Sequence, residues 1–139
     1  MTPVSFPLAK LLKEKGFDEP CSHAYKEIES PVLYIHQDKK YNNSFKQEWQ
    51  NTMRKNSHMD NAIINRYSAP TIAEVVMWLY EKHGVWIVVD NLIDNKFYFS
   101  HRDTKTNNYS SRLGCNDEGY ELPTEAYEAA IEYCLTKLI

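Results

Sequence analysis

The sequence predicts an α+β fold: an antiparallel sheet of three or four strands packed in two layers with about three helices. Three observations carry this. Apolar residues recur at helical spacing in the stretches 5–16, 71–84 and 124–138. Between the second and third stretches, side chains alternate with the period of a strand along 85–89 and again along 97–100. A short segment, 91–95, joins those two runs as a hairpin, so the strands run antiparallel; a doubly wound parallel sheet would need a long crossover there.

Taken in chain order, Ser5 is placed as an N-cap, with Pro7 in the first turn, where its missing N–H costs nothing. Leu8, Leu11 and Leu12 form the apolar stripe of this helix, Gly16 stops it, and Phe17 folds back onto it. Residues 18–30 read as a loop with a short extended piece near Tyr25. Residues 31–37 read as a strand, with Leu33 and Ile35 on one face and Val32, Tyr34 and His36 on the other. The stretch 38–67 reads as a polar, Asn-rich insertion. Within it, Phe45, Trp49 and Met53 stand four apart, which predicts a short helix over 44–55. Lys39, Lys40, Lys46, Arg54, Lys55 and Arg66 make it the one locally basic region, and a solvated insertion is the plain explanation.

The second helix has the strongest signature. Thr71 and Glu74 make a T-x-x-E capping box. Ile72, Val75, Val76, Leu79 and His83 line one face, Ala73, Met77 and Tyr80 add a second apolar strip, and Gly84 ends the helix. So few charges predict a mostly buried helix. After the hairpin, a third strand is expected near 109–113 and a loop over 114–119. The last helix is expected to start at Thr124 and run to about Leu138, with Cys134 in its core face. The segments PTIAEVVMWLYEKHG and PTEAYEAAIEYCLTK both set Pro before Thr and Ala two residues after it. Convergence on one good helix start explains this more simply than duplication.

The length of 139 residues fits a single domain, 1–139, large enough to bury a core without disulfides or metal. Hydrophobic residues are 42% and charged residues 25%, an ordered rather than disordered balance. A net charge of −3 argues against a general nucleic-acid or membrane-surface binder. Cys21, Cys115 and Cys134 are odd in number and form no CxxC, so a reducing compartment is the simplest reading. The first sixteen residues lack an apolar leader, and no run approaches the length of a membrane span. A cytoplasmic location is expected.

The phrases LAKLLKEKGFDEPCS, YSAPTIAEVVMWLYEKHGVWI and PTEAYEAAIEYCLTKLI resemble a group of small uncharacterised proteins of gut Bacteroides and their prophages. The resemblance covers the three helices, roughly a third of the chain, and not 38–67. It implies a bacterial or phage origin and a cytoplasmic setting. It brings no activity, cofactor or catalytic residue.

The chemistry-bearing residues form no recognised constellation. His23, His36, His58, His83 and His101 give no HxH or HExxH pair, and Cys21-x-His23 is the nearest approach to a ligand pair, so no metal is expected. No GxGxxG, phosphate loop or GxSxG occurs, and no cofactor is expected. Asp18-Glu19, Asp90 with Asp94, and Asp117-Glu118 are explained as turn or surface residues. Cys115, in a loop, is the candidate nucleophile if the protein is an enzyme, and nothing in the sequence brings a base to it. The order helix, three strands, helix over 71–138 is that of a double-stranded RNA-binding domain. That function needs basic residues at the start of the last helix, where Glu125 and Glu128 stand.

Aromatic residues make up 13% of the chain. If Ile87, Phe97 and Leu33 face the core, then Trp86, Tyr98, Tyr34 and His36 share the opposite sheet face as a candidate binding surface. A covering element, with 38–67 the obvious one, is the bland alternative. The leading reading is a non-enzymatic protein-interaction module of phage or mobile-element origin. The alternative is a nucleic-acid-associated protein using the basic 38–67 segment, and the third is an enzyme with a Cys115 nucleophile.

Overall fold

Helical stripes and strand alternation each find partners near in sequence, and the result is two compact units, residues 3–70 and 71–139. Each has its own antiparallel sheet, and together they make an α+β fold. The computed structural model describes residues 3–27, 31–35, 48–50, 62–111 and 119–139. No helix among the described residues is long and apolar enough to cross a membrane.

In the first unit, helix α1 spans Phe6–Glu14, with Ser5 at the N-cap position and Pro7 in the first turn. The Ser5 side chain makes no capping hydrogen bond. Leu8, Ala9 and Leu12 are buried, while Leu11 is only half-buried. Gly16 takes a left-handed φ of 90°, which reverses the chain. Phe17 then folds back, fully buried, and its N–H donates to the Leu12 carbonyl at 2.9 Å.

Strands β1 (His23–Glu27), β2 (Pro31–Ile35), β3 (Glu48–Gln50) and β4 (Ala62–Ser68) form a sheet of order β2-β1-β4-β3. The extended piece expected near Tyr25 is a full interior strand. The helix expected over 44–55 is corrected where it is described: Trp49 lies in β3, paired with Ile63 of β4. Phe45 and Met53 lie outside the described residues. The end of the expected polar insertion is likewise an interior strand, since β4 pairs with both β1 and β3. Leu33, expected in the core, is 42% exposed on β2, which pairs only with β1 among the described residues. An edge strand is covered less completely than an interior one.

Aromatic contacts join α1 to its sheet. The Phe6 ring meets Tyr25 edge-on at 5.3 Å and Tyr67 at 5.6 Å. The Tyr25 hydroxyl donates to the Val4 carbonyl at 2.8 Å, and the Lys13 ammonium donates to the Arg66 carbonyl at 2.7 Å. Burial lowers the Lys13 pKa from its usual value.

In the second unit, helix α2 spans Ile72–His83. The capping box forms as expected: Glu74 N–H donates to the Thr71 hydroxyl at 3.3 Å, and Thr71 N–H donates to the Glu74 carboxylate at 2.7 Å. Gly84 closes the helix at φ 68°. Strands β5 (Val85–Asn91), β6 (Phe97–Asp103) and β7 (Asn108–Ser111) form a meander of order β5-β6-β7. The hairpin turn uses left-handed Asp94 and Asn95, residue types that tolerate positive φ.

Helix α3 spans Pro123–Tyr133 and continues as a wider π-turn over Cys134–Leu138. Its N-cap is Leu122, with Pro123 in the first turn, so the start expected at Thr124 is corrected. Helices α2 and α3 touch each other and both touch β5; α3 also packs on β6. Val75, Leu79, Ile87, Phe99, Ala130, Ile131, Cys134 and Leu135 are core residues of this unit.

Candidate functional site

The helix expected to be mostly buried is not. Val75, Trp78 and Leu79 of α2 are buried, yet Met77 is 44% exposed and Tyr80 is 45% exposed. Successive helix residues are 100° apart, so 72, 73, 76, 77 and 80 occupy one arc beside the buried one. Residues 72, 73, 76 and 77 of that arc form a wall of an open groove of about 490 Å³. Ile72, Ala73, Val76 and Met77 contribute from α2, with Thr71 at its end. Trp86 and Ile87 contribute from β5, and Pro123, Thr124 and Tyr127 from α3. None of these lining residues is charged. The volume suits small ligands and side chains alike.

Local geometry brings these residues together. The capping box sets the rotational phase of α2, which fixes the arc. Left-handed Gly84 then turns the chain so that β5 returns alongside the helix. The Gly84 carbonyl is held by the Thr104 N–H and by the Thr104 hydroxyl, both at 2.7 Å. Trp86 consequently meets Tyr80 edge-to-face, with ring centroids 5.4 Å apart and planes at 79°. Trp86 remains 36% exposed.

Of the four residues expected to share a sheet face, Trp86 and Tyr98 stand in the β5-β6-β7 sheet. Register confirms that Trp86 and Tyr98 have the same parity, because Trp86 pairs with Arg102 and Asp90 with Tyr98. Tyr98 is nevertheless only 6% exposed. Left-handed Gly119 (φ 71°) lies against it: a Cβ at Gly119 would come within 2.8 Å of the Tyr98 ring and 2.6 Å of Lys96 Cβ. Tyr34 belongs to β2, in the other unit's sheet, and His36 lies outside the described residues. The face opposite Tyr98 is packed by α3, where Tyr133 stacks on His101 at 5.4 Å and meets Phe99 at 6.3 Å.

The other candidates have ordinary roles where they are described. The Cys21 thiol donates to the His23 carbonyl at 3.3 Å, and the His23 ring sits 3.1 Å from the Ser22 hydroxyl. The Cys134 thiol is buried, and desolvation pushes its pKa up to about 12. His83 meets the Trp78 ring at 4.7 Å. Burial, then the Lys105 charge, lowers the His83 pKa below 6.5. No group of three His, Cys, Asp or Glu among the described residues is placed to hold a metal ion. Cys115, His58, Asp117 and Glu118 lie outside the described residues, as do the Lys39, Lys40, Lys46, Arg54 and Lys55 side chains.

No family model, curated protein or solved structure matches the chain. Trp86, singled out in the sequence as a candidate binding residue, lines the groove. The sequence carries a signal for this groove in the second apolar strip of α2, where Ala73 and Met77 line it and Tyr80 stands beside it.

Proposed function

We propose that the protein is a non-enzymatic interaction module that holds a protein partner in the groove between α2, α3 and β5. The observation that carries this reading is the uncharged lining of that groove beside exposed Met77, Tyr80 and Trp86. Contiguous exposed apolar surface favours a covering partner, and Trp and Tyr bring large contact area at low entropic cost. The resemblance to small proteins of gut Bacteroides and their prophages supports a phage or mobile-element origin and a cytoplasmic setting.

The test is affinity capture from the native host, read by mass spectrometry, with the wild-type protein and with Trp86→Ala and Met77→Ser. The partner recovered with the wild type should be lost with both variants, while circular dichroism shows the fold intact. Equal recovery by folded variants overturns the reading.

A further inference from the structure

Helix α2 carries two apolar strips with different fates. Val75, Trp78 and Leu79 are buried, whereas Ala73, Met77 and Tyr80 are exposed. The exposed three are spaced by four residues and then three, the spacing of the a and d positions that meet a second helix in a coiled coil. With Met77 at a, Ala73 and Tyr80 fall at d. Val75, Trp78 and Leu79 then take f, b and c, the positions turned away from such a seam, so packing into the core leaves the seam open. The e positions on one flank of the seam are Glu74 and Glu81, both exposed. Val76 and His83 take g on the other flank, and Lys82, at f, stands away from the seam.

The seam and the groove are one apolar surface. Ala73 and Met77 line the groove, and the Tyr80 ring meets Trp86 at 5.4 Å. At a helical rise of 1.5 Å per residue, Ala73 to Tyr80 spans about 10 Å, two turns of a partner helix. Glu74 and Glu81 precede and follow Met77 by three and four residues, so both are its neighbours on the helix surface. The Glu74 carboxylate accepts from the N–H of Thr71, itself a lining residue, at 2.7 Å. Arg102, opposite Trp86 on β6, belongs to the sheet and not to this flank. We infer that this surface takes an amphipathic α-helix of a partner protein, with apolar residues against Ala73, Met77 and Tyr80 and Lys or Arg facing Glu74 and Glu81. The apolar seam supplies the contact area, and the flanking carboxylates select a basic helix. Two copies of α2 docked antiparallel through this seam would set their own carboxylates against each other, which disfavours a second copy as the occupant. This rests on the reading of the groove as the partner site.

The probe is a synthetic peptide three heptads long, with Leu at every a and d and Lys at every e and g. A second peptide carries Glu at e and g instead. Like charges on both flanks keep each peptide from pairing with itself. Binding to the full-length protein is read by titration calorimetry, and peptide helicity by circular dichroism. The Lys peptide should bind more tightly than the Glu peptide and gain helicity on binding, and Met77→Ser should abolish that binding. Glu81→Lys should weaken the Lys peptide about fivefold and strengthen the Glu peptide. Glu132→Lys makes the same change of net charge at an exposed site on α3, and should leave both affinities within about twofold. If Glu81→Lys does not fold, a smaller preference for the Lys peptide in Glu81→Gln decides. No binding of the Lys peptide, binding without a gain of helicity, or equal responses to Glu81→Lys and Glu132→Lys overturns the inference. Equal responses would mean attraction by net charge alone. Self-association of the chain that Met77→Ser abolishes also overturns it, because the occupant is then a second copy. A cellular partner that needs Trp86 and Met77 yet ignores Glu81→Lys overturns the basic helix and keeps the groove reading. Lys-peptide binding that needs Met77 and Glu81 but not Trp86 overturns the groove reading and keeps the seam.

Discussion

Trp86 and Tyr98 have the same strand parity, and their surroundings give them opposite roles. Trp86 stands on the edge strand, where its ring leans onto Tyr80 and still meets solvent. Tyr98 stands on the middle strand, where the Gly119 backbone closes over it. Alternation gives the face of a side chain but not what covers that face. His83 is a second case in which the surroundings decide. Its folded pKa lies below the ordinary 6.5, first through burial and then through Lys105. The unfolded chain therefore binds a proton more readily than the folded one, and stability rises with pH between the two values. Its contribution is full above about pH 6.5 and is lost as pH falls through the folded value. Urea midpoints measured across that window should fall less for His83→Gln than for the wild type, and Lys105→Gln should recover only part of the difference. Identical pH dependence in the wild type and His83→Gln would count against this assignment.

The two Pro-Thr helices use the same dipeptide in different registers. Thr71 is the N-cap of α2, with Pro70 outside the helix; in α3, Pro123 is already in the first turn and Leu122 is the N-cap. The reason is local. Glu74 stands three residues after Thr71 and completes a reciprocal pair of bonds, whereas Tyr127 stands at the matching place after Thr124 and cannot. Without that competition, Pro takes the first helical position it prefers. Thr71→Ala should lower unfolding stability by about 1 kcal/mol, and Thr124→Ala should change it by less than about 0.5 kcal/mol, as read from denaturant midpoints. Equal losses would show that α3 is capped by Thr124 after all. At β3, the spacing of Phe45, Trp49 and Met53 suggested a helix, but pairing with β4 sets the conformation of 48–50. A three-residue strand carries too little periodicity to outweigh a four-residue spacing in sequence.

The division into units 3–70 and 71–139 gives each its own sheet and buried residues. A domain of about 70 residues buries roughly 60% of the surface its unfolded chain exposes, enough for many such domains to fold alone. The fragment 71–139 should therefore show a cooperative thermal transition by circular dichroism, and a featureless melt would mean that its core is insufficient by itself. Composition, helical stripes and the capping box were enough to establish an α+β chain with α1, α2, α3 and the β5–β6 hairpin near their observed places, because those signals are local. The interior position of β4, the separation of Tyr34 from Trp86 into different sheets, the cover over Tyr98 and the groove beside α2 all depend on which distant segments pair. Pairing is decided by register and burial between residues far apart in the chain, and one strand's alternation carries no record of its partner.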